Sequence, residues 1–334
     1  MKKASSRGFT LAEVLITLSI IGIVAAITLP SLLINVNEKA WDAQRKALHA
    51  RLAQAIGQMN TLSGFGTFAL GGDDGTTVTE DTAAETFILN GLSKVYKISN
   101  TCGPDKLSSC GLSSTIVTLN SASEIDFPKN MEELNPTLLE NTGTMGSSSG
   151  SNQNTSAAAF ETANGESVAV YYNPFCGSDS DANHYVQNKM CVNFIYDLNG
   201  STGPNQVGKD IGFITAFYRK SSVVVAPVPY TLNATSAPSY SADAETLDAA
   251  GSCKAMDEDA RLPDRDELAS MYVNGPLMGV TSGNFWSGSV ISPGASGLAW
   301  GQNFNKGWPP PQYSFLRPLC ALRQEINLSF YYFL

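Results

Sequence analysis

The sequence predicts an α+β fold: a long N-terminal α-helix packed on an antiparallel β-sheet head, followed by a smaller C-terminal α+β domain. Three observations predict it. Residues 9–29 are almost wholly apolar, and apolar residues then recur at mostly three- and four-residue steps as far as Met59, the period of a helix with one buried face. Residues 167–172, 191–197 and 211–218 have the composition or alternation of strands. A Ser/Ala/Pro-rich stretch then stands before a Trp- and Cys-bearing end, as a linker stands between domains. The expected organisation is a leader at 1–8, the helix at 9–63 with a membrane span at 9–29, a head at 64–220, a linker at 221–245 and a C-terminal domain at 246–334.

Composition bounds the function. The chain has 334 residues, of which 43% are hydrophobic and only 15% charged. That is enough for two domains with a sizeable core, and the charge is low for a cytoplasmic enzyme. Abundant Gly, Ser, Thr and Asn instead suit a loop-rich extracellular β protein. The net charge of -9 argues against a nucleic-acid partner, which calls for a basic patch. The two histidines, His49 and His184, do not make a His-rich metal centre. Six cysteines beside an export signal favour disulfides over metal sites.

The N-terminus carries the strongest signal. Lys2, Lys3 and Arg7 precede the apolar run, so the positive-inside bias keeps the start in the cytoplasm and sends the rest outside. About 20 residues at a rise of ~1.5 Å span the hydrocarbon core. An ordinary signal peptide has a shorter apolar region closed by small residues, whereas this run ends Thr28-Leu29-Pro30. Nor does a signal peptide explain Glu13. An unpaired carboxylate within a lipid-facing helix costs several kcal/mol, so it is a functional candidate.

The string Gly8-Phe9-Thr10-Leu11-Ala12-Glu13-Val14-Leu15 resembles the processing motif of type IV prepilins and type II secretion pseudopilins. The resemblance implies cleavage after Gly8 by a prepilin peptidase, N-methylation of the new terminus Phe9, and pairing of Glu13 with the terminal amine of a neighbouring subunit. It implies other pilin subunits and an inner-membrane assembly platform as partners. It also implies a single-pass location in the cytoplasmic membrane before assembly into a surface pilus or periplasmic pseudopilus. A buried carboxylate needs a cation, and a neighbour's α-amino group supplies one.

Beyond Pro30, a candidate kink site, the residues Leu33, Val36, Ala40, Ala47, Leu48, Leu52, Ala55, Ile56 and Met59 form the apolar stripe. Asn35, Glu38, Lys39, Asp42, Arg45 and Lys46 fill other faces, and Gly64 and Gly66 end the helix. His49 reads as a packing or surface residue.

In the head, residues 67–80 read as a loop. Residues 81–98 read as a short helix with Asp81 as N-cap. Cys102 and Cys110 flank a small loop, and closeness favours their pairing; Cys176 and Cys191 bracket another. The sequence alone leaves connectivity open. Residues 141–157 are low-complexity Gly/Ser/Thr/Asn. The turn Asp197-Leu198-Asn199-Gly200, continued through Asn205 to Asp210, resembles the late β-hairpin of many bacterial pilin-like proteins. Some pseudopilins bind calcium in a comparable loop, and Asp197, Asn199, Asn205 and Asp210 offer the oxygens that Ca²⁺ takes. The plainer account gives Asp and Asn to Asx-turns and Gly to positive φ. The spacing is not that of an EF-hand, so no cofactor is expected, with calcium as the alternative.

In the last segment, Asp264 and Glu267 have the spacing of a capping box after Arg261-Leu262-Pro263. Trp286-Ser287-Gly288-Ser289, Ala299-Trp300 and Cys320-Ala321-Leu322-Arg323 follow. This order resembles the Lcl-type C-terminal domain of bacterial collagen-like adhesins, a relative of C-type-lectin-like folds. Asp264, where Thr is more usual, and the ending Arg317-Pro318-Leu319-Cys320 depart from it. Cys253 and Cys320 would close a loop whose constraint stabilises by roughly 4 kcal/mol. Trp286 and Trp300 read as core. Trp308, before Pro309-Pro310-Pro311, is the candidate exposed contact, with Arg261 and Arg265 as candidates for acidic glycans; Arg261 also reads as a buried helix-to-sheet pair. No catalytic set is convincing, since Asp264 and Glu267 are explained as caps. The expected function is a minor or tip pilin-like subunit with an adhesive module. The alternatives are a type II secretion pseudopilin and a DNA-uptake pilin.

Overall fold

The structure, a computed structural model, describes residues 11–62, 81–119, 123–139, 154–174, 190–219, 222–226, 260–282, 284–290, 299–303, 317–318 and 321–322. Residues 1–46 and 47–334 form two compact units.

The chain opens with helix α1, Leu11–Leu62, which is continuous through Pro30. In the second unit its residues Leu48, Leu52, Ala55, Ile56 and Met59 are buried as the periodicity predicts, whereas Ala47, expected in the same stripe, is exposed. The first unit departs from the expected pattern. Ala40 is exposed, while Asp42 and Arg45, expected on polar faces, are buried. Asp42 accepts an ion pair from Lys46 one turn on, at 2.8 Å.

The head is built on a six-stranded sheet. Its strands are β1 (Ile98–Cys102), β4 (Ala158–Thr162), β5 (Ser167–Tyr172), β6 (Met190–Asp197), β7 (Ile211–Arg219) and β8 (Ser222–Val225). They stand in the order β1-β4-β5-β6-β7-β8, antiparallel throughout. A small hairpin, β2 (Thr115–Val117) with β3 (Glu124–Asp126), lies outside this sheet.

Strands β5 and β6 are buried along their whole length. A strand buried on both faces sits between two layers. On one face Phe87 stacks on Tyr172 with ring centroids 4.7 Å apart, and Tyr96 meets Phe160 edge-on at 5.9 Å. Phe87 belongs to the helical run opened by α2 (Ala83–Thr86). The last turns of α1 join this layer: His49 Nε2 lies 2.9 Å from the carbonyl of Ala226, and Arg51 pairs with Glu166 in the β4–β5 turn at 2.5 Å. Asp81 is not the N-cap expected there. Thr82 stands at that position, and Asp81 accepts a hydrogen bond from the Ser156 hydroxyl.

The opposite face carries Ala159, Ala169, Tyr171, Ile195, Phe213 and Phe217. These share one core with Leu268, Met271 and Tyr272 of helix α4 (Arg265–Val273). Helix α3 (Met131–Leu134) and the turn α5 (Gly275–Met278) contribute Met131, Leu134 and Leu277 to the same core. The first residues of the linker expected at 221–245 are strand. Residues 222–225 extend the sheet, because Val223, Val224 and Val225 are β-branched. The segment that carries α4 packs into the head instead of standing apart. Residues 227–245 lie outside the described residues.

The C-terminal segment adds β9 (Ala260–Arg261), β10 (Asn284–Val290), β11 (Ala299–Asn303), β12 (Arg317–Pro318) and β13 (Ala321–Leu322). Strand β10 pairs antiparallel with β11 and parallel with β12, and β13 pairs with β9. The chain is thus α+β; a C-type-lectin-like arrangement is not established by these strands.

Candidate functional site

The first turns of α1 carry most of the exposed large hydrophobic side chains among the described residues. Leu11, Val14, Leu15, Ile16, Leu18, Ile20, Ile21, Ile23 and Val24 are all exposed, from 43% to 79%. At ~100° per residue these positions surround the helix, so it is apolar on every side. A water-facing helix is polar on one face, whereas one that is apolar all round belongs in a core or a membrane. The polar side chains fit that environment. The Thr17 hydroxyl donates to the Val14 carbonyl at 3.0 Å and the Ser19 hydroxyl to the Leu15 carbonyl at 2.8 Å, so the helix satisfies them itself. Glu13 sits in the first turn, where the helix dipole favours a carboxylate.

Gly8 and Phe9 lie outside the described residues. Among the described residues no helix is long and apolar enough to cross a membrane. The span expected at 9–29 extends beyond the stretch 11–26 whose side chains are described.

The turn between β6 and β7 is closed by two buried carboxylates. Asp197 ends β6 and pairs in register with Ile211, the first residue of β7. The Leu198 N–H donates to the Asp210 carbonyl at 3.0 Å. Asp210 accepts the Asn205 and Gln206 N–H groups, one on each carboxylate oxygen, both at 2.9 Å. Asp197 accepts the Asn199 N–H at 3.1 Å. Asn205 holds the left-handed region at φ 50, which Asn tolerates. Asp197 and Asp210 are 1% and 0% exposed. Burial, with the Asp210 charge beside it, pushes the Asp197 carboxyl up to about 7.

In the C-terminal segment Asp264 accepts the Glu267 N–H and Glu267 accepts the Asp264 N–H, both at 2.8 Å, the reciprocal box that the spacing predicts. Arg261 donates to both oxygens of buried Glu267 at 2.7 and 2.6 Å. Its fork is thus engaged within the chain, which favours the anchoring reading over a glycan contact. Arg265 is half-buried in the first turn of α4. Trp286 and Trp300 lie in paired strands β10 and β11. Trp308 lies outside the described residues. Cys102 and Cys110 are disulfide-bonded. Cys191 is disulfide-bonded as well, while Cys176, Cys253 and Cys320 lie outside the described residues.

Sequence reading missed a buried polar cluster. Thr215 donates to Asn193 at 2.6 Å and lies 2.7 Å from the Ser270 hydroxyl. Asn274 joins both Asn193 and Thr215. All four are at most 1% exposed. The available signal was a polar residue at an inward position of each of two apolar strands.

The model of the prokaryotic N-terminal methylation motif matches residues 3–29. No curated protein and no solved structure matches the chain. The matched segment contains Gly8, Phe9, Glu13 and the apolar stretch described above. This is the N-terminal motif of type IV pilin-like and pseudopilin-type subunits, proteins whose role is structural.

Proposed function

We propose that the chain is a minor or tip subunit of a type IV pilin-like fibre, anchored and assembled through the first half of α1. The observation that carries this reading is a helix apolar on every side within the segment, residues 3–29, that the methylation-motif model matches. Prepilin peptidase cuts after Gly8, Phe9 is methylated, and the apolar helix waits in the cytoplasmic membrane before the assembly platform moves it into a helical bundle with its neighbours. Glu13 then meets a neighbour's terminal amine. This interaction is strong in that setting because an unpaired carboxylate among apolar side chains is costly.

The place in the fibre follows from bulk. A head with a six-stranded sheet and a further segment packed on it crowds a helical shaft and suits an end. The adhesive role of 246–334 rests on its sequence resemblance to the Lcl-type lectin-like domain, with Trp308 and Arg265 as candidate glycan contacts. The second reading is a type II secretion pseudopilin, whose fibre stays in the periplasm; the net charge of -9 disfavours a DNA-uptake role.

Fibres sheared from cells that express Glu13→Ala test the assembly reading. The variant is expected to be processed but to be depleted from fibres at least tenfold, and wild-type incorporation would overturn it. Immunogold labelling of 246–334 separates the two destinations: surface fibres label on intact cells, a pseudopilus only after permeabilisation.

A further inference from the structure

The disulfide between Cys102 and Cys110 joins two parts of the head. Cys102 is the last residue of β1, the edge strand of the six-stranded sheet, where it pairs with Ala159. Cys110 ends a 3₁₀ run, Pro104–Cys110, and the chain then reaches β2 at Thr115. The bond therefore holds the entry of the β2–β3 hairpin, which lies outside that sheet. The run does not hold itself. Its hydrogen-bond geometry is poor by nature, and it is interrupted at Lys106, where φ is -129.

The residues after Cys110 touch the β6–β7 turn and the hairpin in succession. Gly111 holds φ 78, a conformation that suits a residue without a Cβ. A Cβ there would lie 2.6 Å from the Ser167 hydroxyl oxygen, and a Cβ on Gly200 would lie 3.3 Å from the Gly111 carbonyl oxygen. The β6–β7 turn thus seats directly on the end of the disulfide loop. Asn205 Nδ2 of the same turn donates to the Ser113 hydroxyl at 3.3 Å. The Phe127 N–H donates to the Ser114 carbonyl at 2.8 Å, and the Val117 N–H to the Asn205 carbonyl at 2.9 Å. The Leu119 N–H then donates to the Leu277 carbonyl of α5 at 3.1 Å, which carries the contacts on to the C-terminal segment.

We infer that the Cys102–Cys110 disulfide is a one-way redox latch. Its closure seats the β6–β7 turn and the β2–β3 hairpin, and through them the C-terminal segment, and the closed head then shields the bond.

Closure joins the two sulfurs. The two protons and two electrons pass by thiol–disulfide exchange to a disulfide oxidant, which leaves as two thiols. Reopening needs a thiolate to reach one of the sulfurs. Cys102 is 6% exposed and Cys110 0%, so neither is reached until the head opens. That closure takes place outside the cytoplasm rests on the export reading above; the coupling of the bond to the turn and the hairpin does not.

The test uses the full chain in detergent and hydrogen exchange read by mass spectrometry of its peptides. The double variant Cys102→Ala with Cys110→Ala is expected to exchange roughly tenfold faster than wild type over 113–127 and 198–210, while β5, at 167–172, is unchanged. Gly200→Ala leaves both cysteines in place but strains a position at φ 67. Because coupling is reciprocal, it is expected to speed exchange over 104–112 by roughly tenfold, and it serves where the double variant fails to fold by circular dichroism. Wild-type exchange of the hairpin in a folded double variant overturns the inference. So does wild-type exchange over 104–112 in Gly200→Ala. Neither readout depends on whether the chain enters a fibre.

Discussion

Asn193 of β6 and Asn274, 81 residues later at the end of α4, exchange amide hydrogen bonds at 2.8 and 3.0 Å in a position closed to solvent. Two carboxamides that satisfy each other reciprocally specify one seating of the helix on the sheet, since a shift of one residue leaves both unpaired.

Asn274→Ala tests that seating. It strands the buried Asn193 amide nitrogen, which donates to Asn274, while Thr215 keeps Asn193 and Ser270, and an unsatisfied buried donor costs about 1–3 kcal/mol. Chemical denaturation is expected to show a loss in that range, in a single transition that includes the β-sheet signal. A separate early transition for the C-terminal segment would mean that α4 is an independent module.

Arg51 and Glu166 make the analogous link on the other face. The Glu166 side chain is 6% exposed and the Arg51 side chain 32%. The Thr162 hydroxyl also bonds Glu166. Arg51→Met leaves a buried carboxylate with one partner fewer, and a loss of about 2 kcal/mol is expected, below the ~3–5 kcal/mol of a fully buried pair. Thermal denaturation of the variant against wild type at pH 7 measures it. A neutral outcome would mark the pair as solvent-screened.

Asp197 makes stability depend on pH. Its carboxyl titrates near 7 in the folded chain, against about 3.9 unfolded. Between those values the folded state holds the proton that the unfolded state has lost. Stability from this group is therefore lost as pH rises through the window. The wild-type melting temperature is expected to fall from pH 5 to pH 8 relative to Asp197→Asn, which has no such group. Parallel curves would contradict this.

What the sequence discloses and what it withholds divide on physical lines. The buried stripe Leu48, Leu52, Ile56 and Met59 is legible because a helix repeats at 3.6 residues. The box of Asp264 and Glu267 is legible because both partners lie within one turn. Val223 to Val225 stand directly before Pro227 and Pro229, so composition alone does not separate strand β8 from a linker. The meeting of Asn193 with Asn274 is tertiary, and periodicity assigns a face without naming the partner. The oxygens around Asp197 and Asp210 were legible as a turn. That three of them have no donor among the described residues emerges only from geometry.

Gly8→Ala bears on processing. The peptidase reading requires a residue without a side chain before the cut, and the variant is expected to accumulate uncleaved in the membrane fraction. Immunoblotting shows the band shift, and a mature-sized product would count against cleavage at this position.

The central claim is that α1 begins at a processed pilin-type terminus. Mass spectrometry of the N-terminal peptide from the protein purified out of its own cells tests it most directly. The account predicts a peptide that starts at Phe9 and carries one additional methyl group on its amine. A chain that retains Met1, or that starts beyond the apolar stretch as after an ordinary signal peptidase, contradicts it.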